Sequence, residues 1–135
     1  MSSDAAGGPL TFLVVDDDIP LSLFFKETLQ HAGHRVFVAV NEHGAIETVK
    51  NESVDILICD YLLPGIKGIG IVDIVKKMKP SLFCVLISGH HYHLINDRHT
   101  FTNADMVIAK PVLKESLNKI LKQYLLTQSV RTQNL

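Results

Sequence analysis

The sequence predicts an α/β domain built on a mostly parallel sheet covered by helices on both faces. Short apolar runs alternate with longer amphipathic stretches along the whole 135-residue chain. The runs are rich in β-branched and large apolar residues and are bounded by Gly, Pro or Asp, which reads as buried strand. Five of them alternate with helical segments, the pattern of parallel strands joined by crossovers. Right-handed crossovers narrow the topologies without fixing the strand order.

Taken in order, Leu10–Val15 (L-T-F-L-V-V) is the first strand and ends at Asp16. Pro20 is tolerated only in a first helical turn, so a helix starts near it. Leu21, Phe24, Phe25, Leu29 and Ala32 follow at helical spacing, and Gly33 supplies the stop. Arg35–Val40 is a second strand, and a short helix over Glu42–Lys50 puts Ala45, Ile46 and Val49 on one face. Val54–Cys59 is a third strand closing on Asp60, after which Leu63-Pro64-Gly65 breaks the chain. Ile69, Val72, Val75 and Met78 carry a helix that stops before Pro80. Leu82–Ile87 is a fourth strand ending at Ser88-Gly89. The polar, His-rich segment His90–Phe101 is expected to form a loop and a short helix. Asp105–Ala109 is a fifth strand ending at Lys110-Pro111. Leu113, Leu117, Ile120, Leu121 and Tyr124 step along a final amphipathic helix. Residues 1–9 are expected to be disordered, the domain to cover 10–126, and 127–135 to form a frayed tail.

Composition excludes several classes. The chain is 47% hydrophobic and 20% charged, ordinary for a globular domain. With 13 basic and 14 acidic residues it carries a formal charge of −1, so no electrostatic footprint for nucleic acid is present. Cys59 and Cys84 lie inside apolar runs and read as small buried hydrophobes, without a disulfide framework or zinc site. A reducing cytoplasm is the expectation. The first nine residues lack a signal-peptide pattern, and no apolar stretch approaches the ~18 residues of a membrane span.

The polar residues are informative by position. Asp16-Asp17-Asp18, Asp60, Ser88 and Lys110 each follow directly on a predicted strand. In a parallel sheet those strand ends share one edge, outside which ligands bind. Each feature has a bland reading on its own: a helix N-cap at Asp16–Asp18, a turn at Asp60, a loop at Ser88, a solvated lysine at Lys110. Their coincidence at one edge makes the bland readings jointly weak. Neighbouring carboxylates repel by roughly 4 kcal/mol per pair at an effective dielectric near ~20, so something positive must offset them. Mg²⁺ takes hard oxygen ligands and bridges to phosphate, and Lys110 adds a compact cation suited to a phosphoryl oxygen. A carboxylate can itself be the nucleophile, giving an aspartyl-phosphate.

With these residues in view, V-V-D-D-D-I-P at 14–20, D-Y-L-L-P-G-I-K-G at 60–68, I-S-G at 87–89 and A-K-P at 109–111 resemble the response-regulator receiver domain of two-component signalling. The match runs in order from about Leu10 to Leu125. The resemblance implies a flavodoxin-like (βα)5 doubly wound fold with a five-stranded parallel sheet of order 2-1-3-4-5, an order for which receivers are themselves the standard example. It implies Asp60 as phosphoacceptor and Asp16 and Asp17 as the acidic pair serving Mg²⁺, with Asp60 and the backbone carbonyl of Leu62 also on the metal. Ser88 corresponds to the hydroxyl residue that binds a phosphoryl oxygen, and Lys110 to the lysine that pairs with the phosphoryl group. The implied donor is a sensor histidine kinase, a phosphotransfer protein or a small phosphodonor. The chain is expected to be a signalling switch, not an enzyme acting on other substrates. It would stand alone or be the amino-terminal receiver of a longer protein, with an output domain or target and a phosphorylation-dependent homodimer as further expectations.

Three positions depart from the family pattern. Val107 stands where an aromatic ring usually completes the switch, Lys67 where an Asp is frequent, and Val112 where Phe is common. Leu62 and His90 occupy the positions that tune water access to the phosphoryl group. Rival readings are a haloacid-dehalogenase-like phosphohydrolase with Asp16 as nucleophile and Asp18 as general acid, and a phosphorylation-silent protein-binding module. The first lacks a late acidic pair, since no Asp follows Lys110. His90, His91, His93 and His99 could bind a transition metal, but their spacing is weak support for it.

Overall fold

A computed structural model of the chain describes residues 8–63, 66–89 and 103–133. The strands are β1 (Thr11–Val15), β2 (Arg35–Ala39), β3 (Ile56–Asp60), β4 (Phe83–Ser88) and β5 (Met106–Ala109); the helices are α1 (Ile19–His31), α2 (Glu42–Asn51), α3 (Gly68–Met78) and α4 (Lys114–Gln133). All neighbouring strands of the five-stranded sheet pair in parallel, in the order β2-β1-β3-β4-β5. This is the order that the resemblance implies. The expected loop and short helix at 90–101, its four histidines, and the Pro64-Gly65 turn lie outside the described residues, as do residues 1–7.

Both faces of the sheet are covered, which is why the strands read as unbroken apolar runs. Alternate strand residues go to opposite sides. Leu13, Val15, Leu57, Cys59, Cys84 and Leu86 pack against Ala45 and Val49 of α2 and Ile71, Val72 and Val75 of α3. Phe12, Val14, Ile56, Ile58, Phe83, Val85 and Ile87 pack against Phe25 and Leu29 of α1 and Leu117, Ile120 and Tyr124 of α4. The two cysteines are buried and free, and burial raises both thiols far above their ordinary pKa, Cys84 to about 12.

The helix starts follow their local chemistry. Asp18 caps α1 by accepting the Leu21 N–H at 3.1 Å, with Pro20 in the first turn, and Asn41 caps α2 through the Gly44 N–H at 2.9 Å. Gly33, at φ +97°, reverses the chain after α1 while the His34 N–H bonds back to Leu29 O. Two strand starts use a carboxylate: Asp55 accepts the Thr11 N–H and Asp105 the Cys84 N–H, both at 2.8 Å.

Three details differ from the sequence expectation. Helix α4 continues to Gln133, past Thr127, because its polar end finds partners: Arg131 donates to Ser81 O at 3.1 Å and Thr127 Oγ1 to Gln123 O at 3.0 Å. Leu113 precedes that helix and is exposed, and Val112 is the buried residue instead. Between β3 and α3, Leu62–Leu63 and Ile66–Lys67 form a two-stranded antiparallel ribbon that hydrophobic patterning did not signal.

Candidate functional site at the carboxyl edge of the sheet

The carboxyl ends of β1, β3, β4 and β5 bring Asp16, Asp60, Ser88 and Lys110 to one edge, as the sequence positions require of parallel strands. Asp16 and Ser88 are almost wholly buried and Asp60 is 8% exposed, whereas Asp17 projects into solvent. One carboxylate oxygen from each of Asp16, Asp17 and Asp60 lies within 4.8 Å of the others. Lys110 Nζ stands 3.5 Å from Asp60 Oδ2. Its backbone N–H donates to Ser88 O at 3.0 Å, which ties the lysine-bearing turn to the end of β4.

Local hydrogen bonds orient the acids. Asp16 Oδ1 accepts the Asp18 N–H at 2.9 Å, and Asp60 Oδ1 accepts the Leu62 N–H at 3.3 Å. Burial pushes the Asp16 carboxyl up to about 6, and the Asp60 charge adds to this. The Asp18 N–H and the Lys110 ammonium pull the other way. Removing a carboxylate from water costs free energy unless a partner restores it.

This donor set fits a hard divalent cation. Three carboxylates converge, two of them with little water, and the Lys110 ammonium alone does not offset them. An all-oxygen set with one exposed member, Asp17, suits a cation such as Mg²⁺ that retains waters. Leu62 begins the ribbon beside Asp60 and pairs with Lys67. Val107 pairs with Leu86 in the sheet and packs on the α2–α3 side of the core, so no ring stands at that position.

Comparison with known proteins decides the family. The model of the response regulator receiver domain matches residues 12–122. The chain belongs to that family. Among curated relatives, the receiver is 32% identical over 108 residues to a cyclic di-GMP phosphodiesterase of Thermotoga maritima, covering 80% of this chain and 29% of that protein. It is 26% identical over 130 residues to the probable transcriptional regulatory protein TcrX of Mycobacterium tuberculosis, covering 95% of this chain and 55% of that one. The receiver therefore spans about a third to a half of these relatives. Among solved structures, it resembles the response regulator TrrA of Thermotoga maritima in complex with Mg(2+)-BeF, with TM-score 0.74, 26% identity, and coverage of 85% of this chain and 98% of that one. A CheY-like receiver domain protein from Methanospirillum hungatei gives TM-score 0.78 at 23% identity, covering 92% and 99% of the two chains. That likeness supports the fold.

Some of the site's supports escaped sequence reasoning. Ser22 is buried in α1 with its hydroxyl 3.5 Å from Asp16 O, and nothing in its helical setting marks it. Gly68 closes the 60–68 motif quoted above, but nothing in that motif says that it is buried against the Asp60 main chain.

Proposed function

We propose that this receiver accepts a phosphoryl group on Asp60 and acts as a phosphorylation-controlled signalling switch. A carboxylate oxygen of Asp60 attacks phosphorus, the P–N bond of a phosphohistidine breaks, and the imidazole leaves as the neutral base after taking a proton from solvent. The product on Asp60 is a mixed anhydride. The donor is a sensor histidine kinase or a phosphotransfer protein. The observation that carries the reading is the Lys110–Asp60 pair at 3.5 Å set against the cluster of three acids.

Asp16, Asp17 and Asp60, with the Leu62 carbonyl, would hold Mg²⁺. When bound, the ion supplies positive charge that lets an acidic pocket receive an anionic phosphoryl group. Lys110 follows the phosphoryl oxygens as Asp60 gives up its charge to the new bond, and the Ser88 hydroxyl donates to one of them. Ser88 sits at the end of β4, next to the β5 turn, so its engagement can be relayed through the main chain. With Val107 in place of a ring, the main-chain link from Ser88 O to the Lys110 N–H is the route of output. The receiver turns over no other substrate, acts in the cytoplasm, contacts no nucleic acid itself, and acts on an attached output domain or a partner protein. Among the described residues no helix is long and apolar enough to cross a membrane.

The phosphohydrolase alternative needs Asp18 as a general acid, but that carboxylate caps α1 at Leu21. Incubation with acetyl phosphate and Mg²⁺ tests the proposal. Wild type should gain one Mg²⁺-dependent phosphoryl group that Asp60→Asn lacks; a chain that stays unmodified would be a silent binding module.

A further inference from the structure

We propose that Gly68 is a positioning residue for Asp60: it lets the start of α3 rest directly on the main chain of the phosphoacceptor, and any side chain there displaces the acceptor. The inference rests on the reading of Asp60 as phosphoacceptor. A Cβ at position 68 would fall well inside van der Waals contact with the Asp60 carbonyl oxygen, 3.0 Å from the Asp60 carbonyl carbon and 3.0 Å from Leu86 Cδ2. The Gly68 φ lies outside the left-handed region, so close approach and not conformational freedom calls for glycine here.

The hydrogen bonds around it explain why the approach matters. The Gly68 N–H donates to Tyr61 O at 2.7 Å, and the Tyr61 N–H donates to Ile87 O at 2.8 Å. Tyr61, the residue after Asp60, is thus tied to the end of β4 through its N–H and to the first residue of α3 through its carbonyl. The ribbon pairing of Leu62 with Lys67 closes the same loop. Locally this is a weak way to begin a helix: Lys67 at the N-cap makes no side-chain capping bond, and Gly68 in the first turn adds no helix-favouring side chain. The close seat on Asp60 is what the sequence gains in exchange. By contrast, a Cβ on Gly44 of α2 would meet the Ala39 methyl at 3.3 Å, remote from the acceptor.

The test compares wild type, Gly68→Ala, Gly68→Ala combined with Leu86→Val, and Gly44→Ala. Each is measured for melting temperature, rate of phosphorylation by acetyl phosphate, and Mg²⁺ affinity by NMR titration. Misplacing a reacting group by about 1 Å costs on the order of 100-fold in rate. Gly68→Ala should therefore lose roughly 100-fold in rate and bind Mg²⁺ more weakly, while remaining folded. Leu86→Val removes the Leu86 contact but not the Asp60 one, so the double variant should stay slow, and Gly44→Ala should match wild type. A Gly68→Ala rate within about threefold of wild type overturns the inference, as does rescue by Leu86→Val. Unlabelled wild type would sink the Asp60 reading instead. If Gly68→Ala does not fold, the wild-type amide of Gly68 decides. It should shift together with Tyr61 on adding Mg²⁺ and beryllofluoride, and an unmoved Gly68 amide contradicts the proposal.

Discussion

Lys110 Nζ stands 3.5 Å from Asp60 Oδ2, joining the ends of β5 and β3 across β4. The pair sets a cation against a carboxylate that sits beside Asp16 in a nearly dry pocket, and in the proposed function the same cation meets the transferred phosphoryl group. Replacing Lys110 with Met should slow phosphorylation by acetyl phosphate by about 100-fold, the usual scale for losing one charge-stabilising donor. Stopped-time mass measurements give that rate directly, and an unchanged rate would remove Lys110 from the mechanism.

The acid cluster predicts an opposite effect on stability. Asp16 is buried beside Asp60 and its hydrogen bond from Asp18 can be kept by an amide oxygen. Asp16→Asn should therefore stabilise the Mg²⁺-free chain by about 1 kcal/mol at neutral pH, while weakening Mg²⁺ binding at least tenfold. Urea unfolding with and without Mg²⁺ reads both effects. Equal destabilisation in both conditions would mean that Asp16 is a structural residue.

His34 gives a pH dependence far from the site. Burial lowers its pKa below the ordinary 6.5, and its Nδ1 accepts the Leu10 N–H at 2.9 Å, which protonation forbids. The folded state therefore binds this proton less readily than the unfolded chain. The stabilisation is complete above about 6.5 and is lost as pH falls from there toward the lower folded value. His34→Phe should lose about 1 kcal/mol at pH 8, and less as pH drops below about 6. Parallel melting curves for both proteins across that range would contradict this.

The two carboxylates at the strand starts should differ in weight. Asp105 accepts the Cys84 N–H at 2.8 Å and also pairs with Lys76 at 2.7 Å, whereas Asp55 accepts the Thr11 N–H. Asp105→Ala strands both a strand amide and a largely buried ammonium, so it should cost about 2–3 kcal/mol. Asp55→Ala should cost about 1 kcal/mol. Chemical denaturation of the two variants checks the ranking, and the reverse order would show that the Lys76 pair carries little.

Much of this was legible in sequence because the parallel sheet makes position and function coincide. Uninterrupted apolar runs locate β1, β3 and β4, and the residue that ends each run falls at the carboxyl edge of the sheet. The same logic places Asp16, Asp60, Ser88 and Lys110 at one edge of the sheet, where the structure has them. Local capping chemistry likewise fixed the start of α1 at Asp18-Pro20. Features that depend on contacts between distant segments were invisible. Nothing near Gly68 announces that Leu86 and the Asp60 carbonyl lie against it, and Ser22 reads as an ordinary helical serine. The length of α4 was missed because polar residues at its end find partners, Ser81 among them, that only the fold supplies. Leu113 fitted the helical spacing, yet the turn before α4 leaves it outside the core and buries Val112.

The central claim is that Asp60, and not another carboxylate of the cluster, carries the phosphoryl group. Reductive trapping with borohydride converts an acyl-phosphorylated aspartate to homoserine, which peptide mass mapping locates. After exposure to acetyl phosphate and Mg²⁺, the account predicts homoserine at position 60 alone, absent without Mg²⁺. Homoserine at position 16 or 17, or none at any position, would contradict it.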